Sequence, residues 1–208
     1  DRDNRRESER VDMQFQTNYN RTFGNHTIGA TYVFERREEK ANWMNGERKF
    51  DFFTIGELDN ARESDQKVSG SSEHQAYLSH IGRLTYDYKG KYLFETNGRY
   101  DGSSKFPKKN RFGFFPSVSV GWNIARENFM KPVAGDWLSD LKLRGTWGQI
   151  GNQGIDPYKF VPTMSQVEKK DVAWLVNGAK PLTLNAPGLV SDSFTWETVE
   201  TLDFGFDI

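Results

Sequence analysis

From Tyr88 to Ser119 the apolar residues keep to one parity: Tyr92, Phe94 and Tyr100, then Phe112, Phe114, Pro116 and Val118. Glu95, Asn97, Arg99 and Asp101 keep to the other. A period of two over this length predicts β-strands with one apolar and one wet face. The same pattern extends in both directions. Val11 to Tyr19 sets Val11, Met13, Phe15 and Tyr19 against Asp12, Gln14, Gln16 and Asn18. Phe23-Gly24-Asn25 signals a turn, and Thr27 to Glu35 follows with Ile28, Ala30, Tyr32 and Phe34 on the apolar side, which predicts an antiparallel hairpin. His74 to Tyr88 resumes the alternation, and Lys89-Gly90 predicts a tight turn into the next strand.

Phe112 to Ala125 alternates most cleanly: every even position is apolar, and Phe115 is the one large apolar residue among the odd ones. Pro116 cannot donate to a ladder, so a bulge or interruption is expected there. His80 and Ile81 exchange their expected faces, which a bulge or a position near an interface explains. Leu141 to Gln149 points Leu143 and Trp147 one way and Lys142, Arg144 and Thr146 the other; Thr195 to Ile208 sets Leu202, Phe204 and Phe206 against Thr201, Asp203 and Asp207. About seven strands result.

Between them lie two long polar excursions, about 36–73 and 150–194. The first opens with the charge run ERREEK, carries Trp43 and the cluster Phe50, Phe52 and Phe53, and ends in Ser69-Gly70-Ser71-Ser72. A charge run of this kind reads as solvated surface. The connection from Arg126 to Asp140 holds Phe129, Met130, Trp137 and Leu138, with room for one short helical turn.

Composition narrows the class without closing it. The mean hydropathy of -0.77 and the lack of a long apolar run exclude a transmembrane helix. They leave a barrel open, since a barrel wall needs only every second residue to be apolar. A net charge of -1 offers no reason to propose nucleic acid, and the absence of cysteine removes disulfides, cysteine-ligated zinc and thiol nucleophiles. The chain opens on the charge run DRDNRRESER and stops inside an alternating segment, so both ends read as cuts through a longer polypeptide.

Alternation alone also fits a soluble β-sandwich, for instance one that binds carbohydrate. Three features favour lipid. The strands reach the roughly 9–11 residues that a tilted crossing needs. Aromatics gather near the ends of the apolar face, with Tyr19, Tyr88, Tyr92 and Trp122 at one rim and Tyr100, Phe112, Trp147 and Trp196 at the other. Short turns alternate with long loops, as they do between the periplasmic and extracellular sides of such barrels.

Specific runs then carry a resemblance. Asp87-Tyr88-Lys89-Gly90-Lys91-Tyr92, Arg99-Tyr100-Asp101-Gly102-Ser103-Ser104 and Gly113-Phe114-Phe115-Pro116-Ser117 resemble the SusC/RagA-type TonB-linked outer membrane proteins. Leu141-Lys142-Leu143-Arg144, Gly148-Gln149-Ile150-Gly151-Asn152-Gln153 and Trp196-Glu197-Thr198 continue it in the same order. His80 departs from the family, which often carries an aromatic there. The resemblance implies an all-β antiparallel transmembrane β-barrel segment, about seven strands of a 22-stranded barrel in the cell outer membrane. It implies a plug, a TonB-contacting segment and further strands outside residues 1–208. It also implies import of glycan oligomers or peptides beneath a SusD-like lipoprotein. A structural or assembly role for the same barrel is the alternative.

Chemistry of the enzymatic kind has little support. His26, His74 and His80 are dispersed, no serine sits in a nucleophile elbow, and Gly145, Gly148, Gly151 and Gly154 form no phosphate cradle. No cofactor is expected, and calcium at Glu57, Asp59, Glu63 and Asp65 is disfavoured by their irregular spacing. The lumen-facing candidates are Glu95, Asn97, Arg99, Asp101, Lys142 and Arg144, with Asp203 and Asp207 beside them. Contacts to substrate or lid on the extracellular side are expected at Trp43, Asp101, Lys105 or Asn152.

Overall fold

Gly24 and Asn25 alone separate the first two strands, with Gly24 at a φ of 58°. Glycine at the first position of a two-residue loop suits the twist of a hairpin. The pair it joins is long: β1 is Arg2–Phe23 and β2 is His26–Glu47, in register along their whole length. The other strands are β3 (Lys67–Tyr88), β4 (Tyr92–Ser103), β5 (Phe112–Asn123), β6 (Lys142–Asn152) and β7 (Glu197–Asp207). All seven form one antiparallel sheet in sequence order, open at both edges. The coordinates are a computed structural model that describes residues 2–49, 57–60, 66–130, 132, 138, 140–167, 174–191 and 193–208.

The two faces differ as the alternation requires. On one lie Phe15, Leu84, Phe94, Phe114, Val120, Leu202 and Phe204, all left exposed by the described residues; Phe114 is 61% exposed and Phe204 80%. Only Val33, Phe106 and Phe115 are buried hydrophobics among the described residues. A soluble sandwich would need a second sheet over that apolar face. None of the described strands supplies it.

Aromatic contacts mark both ends of this outer face. Tyr88 and Tyr92 stack at 6.2 Å near the short turns. Tyr100 and Phe112 stack at 5.1 Å near the long loops, beside Phe34 and His80 at 5.3 Å. Tyr92 and Tyr100 are eight residues apart on β4, about 27 Å of strand.

Three strands run well past that band, which corrects the expected excursion at 36–73. β2 continues through ERREEK to Glu47, and β3 begins at Lys67, so SGSS is strand; the cluster Phe50, Phe52 and Phe53 lies outside the described residues. β1 likewise absorbs the opening charge run. The physical reason is that apolar alternation reports what a face touches, not where the ladder stops. Past Phe34 the outer face of β2 carries Arg36, Glu38 and Lys40, and Glu38 lies 3.2, 3.5 and 2.9 Å from Arg36, Lys40 and His74. Both faces are wet there, so the period-two signal vanishes while the hydrogen bonds continue.

Of the two explanations for His80 and Ile81, a bulge or a position near an interface, the bulge is absent: the registers with β2 and β4 run through both residues unbroken, and His80 lies in the aromatic band beside Phe34. His80 stays on the outer face, where its Nδ1 shares a 2.8 Å hydrogen bond with the Tyr32 hydroxyl. Ile81 stands opposite buried Val33 on the inner face. Pro116 interrupts one side only. Its pairing with Gly98 of β4 is regular, while pairing with β6 stops at Ser117. The Asn123 N–H points toward β4, onto the Lys91 carbonyl; alternation therefore aims the missing donor of Pro116 at β6. The short turn after Asn123 is a 3-10 turn, Ile124–Arg126; Trp137 lies outside the described residues.

Candidate functional site

The inner face is a ladder of paired polar side chains. Arg83 lies 2.7 Å from Glu95, whose other oxygen accepts from Asn97 at 3.0 Å; Asn97 also reaches Ser117 Oγ at 3.3 Å. Arg99 grips Asp101 through two bonds of 3.1 and 3.2 Å. Asp12 receives both Arg10 and Arg37, at 2.7 and 2.6 Å. Arg144 lies 3.6 Å from Asp207. Each carboxylate thus meets a guanidinium one strand away or two residues along, the two spacings at which side chains share a face.

This face curves around a cavity of about 750 Å³, lined among others by Asp12, Glu35, Arg37, Tyr77, Arg99 and Asp101. Glu95, Lys142 and Arg144 line a second hollow of about 470 Å³ nearer the short turns, with Asn20 and Thr146. The six candidates read from parity therefore share one face; five divide between the two hollows, and Asn97 lines neither. The extracellular candidates do not gather. Asp101 is held by Arg99, Asn152 donates to Glu197 at 3.0 Å, and the Lys105 N–H donates to Ser103 Oγ at 3.3 Å. Trp43 is not in a loop; it stands on β2 opposite Arg6 and Ser71, exposed.

At the long-loop end the inner face carries an aromatic knot that parity reasoning missed. Phe106 and Phe115 flank Trp196, with ring centroids 5.2 and 5.4 Å away. This corrects the placing of Trp196 in the outer rim, since it folds inward. Its indole N–H donates to the Arg111 carbonyl at 3.0 Å, the same oxygen that accepts the N–H of buried Ser103 at 3.1 Å. Asn110 adds a bond to the Phe194 carbonyl at 3.2 Å. The Phe115 ring lies where a side chain at Gly113 or Gly151 would stand, so both must be glycine for the ring to lie flat. Phe115 breaks the polar parity of β5 because it belongs to this knot. The signal was present: an aromatic on the wet parity, with a glycine two residues before it.

A second knot closes the short-turn end. Lys89 and Gly90 both take positive φ, 56° and 64°, and Asp87 Oδ1 accepts the Gly90 N–H at 2.6 Å. Lys91 Nζ lies 2.8 Å from Glu127 Oε2, and the Trp122 indole donates to Glu127 Oε1 at 3.3 Å. Lys91, with the hydroxyl of Tyr92 and the indole of Trp122, holds the Glu127 carboxyl down to about 2. Most of the runs that carry the resemblance meet in these two knots.

No group of three His, Asp or Glu residues converges as metal ligands among the described residues. Of the calcium candidates, Glu63 and Asp65 lie outside them.

Comparison with known proteins agrees with this geometry. The family described as TonB dependent receptor-like, beta-barrel, matches residues 1–208. The TonB-dependent receptor SusC of Bacteroides thetaiotaomicron is 41% identical over 134 residues, which is 62% of this chain and 13% of that protein. TonB-dependent receptor P3 of Formosa agariphila is 32% identical over 194 residues, 91% of this chain and 18% of that protein. The chain thus spans less than a fifth of the length of these curated relatives. In structure it superposes on the RagAB peptide transporter with a TM-score of 0.84 at 20% identity, over 99% of this chain and 22% of that one. That likeness speaks to the fold: a wall of seven strands that matches about a fifth of a larger barrel chain. A match over every residue, on a sheet with one apolar and one ion-paired face, shows that this chain belongs to the TonB-dependent receptor β-barrel family.

Proposed function

We propose that these residues are barrel wall in a TonB-dependent transporter of the cell outer membrane. The parent imports glycan oligomers or peptides with a SusD-like lipoprotein over its mouth, and TonB engages segments outside this chain. The observation that carries the reading is the uncovered apolar face, backed by an inner face whose charges are paired across strands. Lipid satisfies the first, and a water-filled or plugged lumen satisfies the second. The short turns at Gly24-Asn25 and Lys89-Gly90 face the periplasm, and the opposite strand ends, at Glu47, Ser103 and Asn152, face outward. Kinship with the TonB-dependent receptor SusC and the fold shared with the RagAB peptide transporter support the transport reading, and uptake experiments choose the cargo between glycan and peptide.

The inner ladder serves chiefly to hold the wall rigid beside its plug. Glu95, Asn97, Arg99, Asp101 and Arg144 are its members, and Lys142 stands on the same face. The test is uptake of labelled oligosaccharides and labelled peptides by cells with the parent gene deleted and restored. Loss of uptake of one class on deletion supports the reading. Unchanged uptake of both, with envelope defects instead, would assign the barrel a structural role.

A further inference from the structure

β3 pairs with β2 from Lys67 to Tyr88, but with β4 only from Tyr77 onward. Above Tyr77 no described strand lies beside one edge of β3. Its first two outward-pointing residues are capped. Ala76 N–H donates to Ser104 Oγ, and the Ser104 N–H donates to the Ala76 carbonyl, both at 2.9 Å. His74 N–H donates to the Tyr158 hydroxyl at 2.8 Å, which donates in turn to the His74 carbonyl at 2.9 Å. By the alternation of a ladder, the backbone groups of Ser72, Gly70 and Val68 point the same way. Among the described residues nothing pairs with them.

Such an edge is ordinarily blunted by lysine, proline or a bulge. Here it reads Val68-Ser69-Gly70-Ser71-Ser72, exposed throughout and small except for the valine. Exposed Trp43 and Met44 stand beside it on β2, opposite Ser71 and Gly70, on the two faces of the blade. Both lie beyond the Arg36, Glu38 and Lys40 cluster, so lipid does not cover them. The small residues of β3 leave their side chains free to reach across toward a further strand. Tryptophan and methionine beside an open edge are what interfaces enrich.

We propose that residues 68–72 are a strand-addition site, filled by an extended segment of the lipoprotein that sits over the barrel mouth. The inference rests on the reading above that such a partner exists. The direction of the edge selects this occupant. It faces the side on which β4 to β7 continue, so an added strand stands above this chain's own wall. A second barrel in the same membrane lies outside that wall and does not reach it; a protein arriving from outside the cell does. Val68, Gly70 and Ser72 each offer one donor and one acceptor to it.

The test is amide hydrogen exchange on the full-length protein, purified from cells with and without the lipoprotein gene. The amides of Val68, Gly70 and Ser72 should exchange at least about tenfold more slowly with the partner bound. Ser72→Pro removes a donor that β2 does not use, and should weaken the partner's binding at least about tenfold. W43A, which leaves the backbone intact, should weaken it too. A partner that copurifies while these amides exchange freely overturns strand addition and leaves the transport reading standing. Protection that is equal without the partner assigns the edge to this chain's own loop and overturns the proposal. If no lipoprotein copurifies, the proposal and the two-protein reading fall together.

Discussion

Lys91 and Glu127 lie 2.8 Å apart and tie two separate connections at the short-turn end of the sheet into one. Lys91 leaves the tight turn before β4, while Glu127 follows the 3-10 turn after β5. Both side chains are largely shielded, at 16% and 11% exposed.

The pair predicts an acid-sensitive clamp. Glu127 titrates near 2 in the folded barrel, against an ordinary 4.5, because Lys91 above all favours its charged form. A depressed carboxyl stabilises fully above the unfolded value and loses that contribution as pH falls through the folded one. The melting temperature of the full-length protein in detergent should therefore drop between about pH 5 and about pH 2. Glu127→Gln should flatten part of that slope and lower the plateau at neutral pH. An unaltered slope in the variant would show that other carboxylates carry the acid response.

Gly90 predicts a turn that strain controls more than crowding. Its φ of 64° is costly for any residue with a Cβ, and a Cβ there would meet the Arg126 guanidinium. Gly90→Ala should destabilise by about 1–2 kcal/mol from backbone strain. Arg126→Ala in the same chain should recover only the crowding share, since a flexible guanidinium yields cheaply. Unfolding free energies of both variants check this; full recovery in the double variant would place the cost in crowding.

Trp196 predicts a link between the 153–196 loop and the wall. Trp196→Ala strips the ring from between Phe106 and Phe115 and frees the Arg111 carbonyl. The expected loss is about 3 kcal/mol, the lower end for a core aromatic because Trp196 is half-buried. Amide exchange at 103–111 should accelerate with it. Trp147→Ala, on the outer face beside Glu200, should leave those amides unchanged. Equal acceleration in both variants would mean that the knot does not hold the loop.

The strands were legible in the sequence wherever one face meets lipid. Val118, Val120 and Trp122 alternate with Ser117, Ser119 and Gly121 because the outer positions face hydrocarbon and the inner ones water. The upper halves of β1, β2 and β3 were not legible, since Arg36, Glu38 and Lys40 sit in water exactly as their inner neighbours do. Trp196 misled for a related reason: tryptophan suits a membrane rim, and only the glycines at 113 and 151 reveal that a ring packs inward. The lumen candidates were legible by parity, but their pairing was not. Whether Glu95 meets Arg83 or Arg99 depends on register, which local sequence leaves open.

The assignment of faces makes the sharpest prediction, through two residues that differ only in parity. Leu84 stands on the outer face opposite Ala30 and Thr96, midway between the two aromatic bands. Ser119 stands on the inner face opposite Glu95 and Thr146. An arginine at Leu84 would have to enter the apolar band, at roughly 2–4 kcal/mol near the bilayer midplane. An arginine at Ser119 would enter the polar ladder and find the Glu95 carboxylate across the strand. Leu84→Arg should therefore lower both the folded yield in the outer membrane and the unfolding free energy in liposomes, while Ser119→Arg should change them by less than about 1 kcal/mol. Hydrophobicity of the residue lost cannot explain such a gap alone, because Leu84→Ser would then cost as much as Leu84→Arg. If serine and arginine at Leu84 prove equally costly, charge burial in lipid is not what that face imposes, and the outer surface meets protein instead.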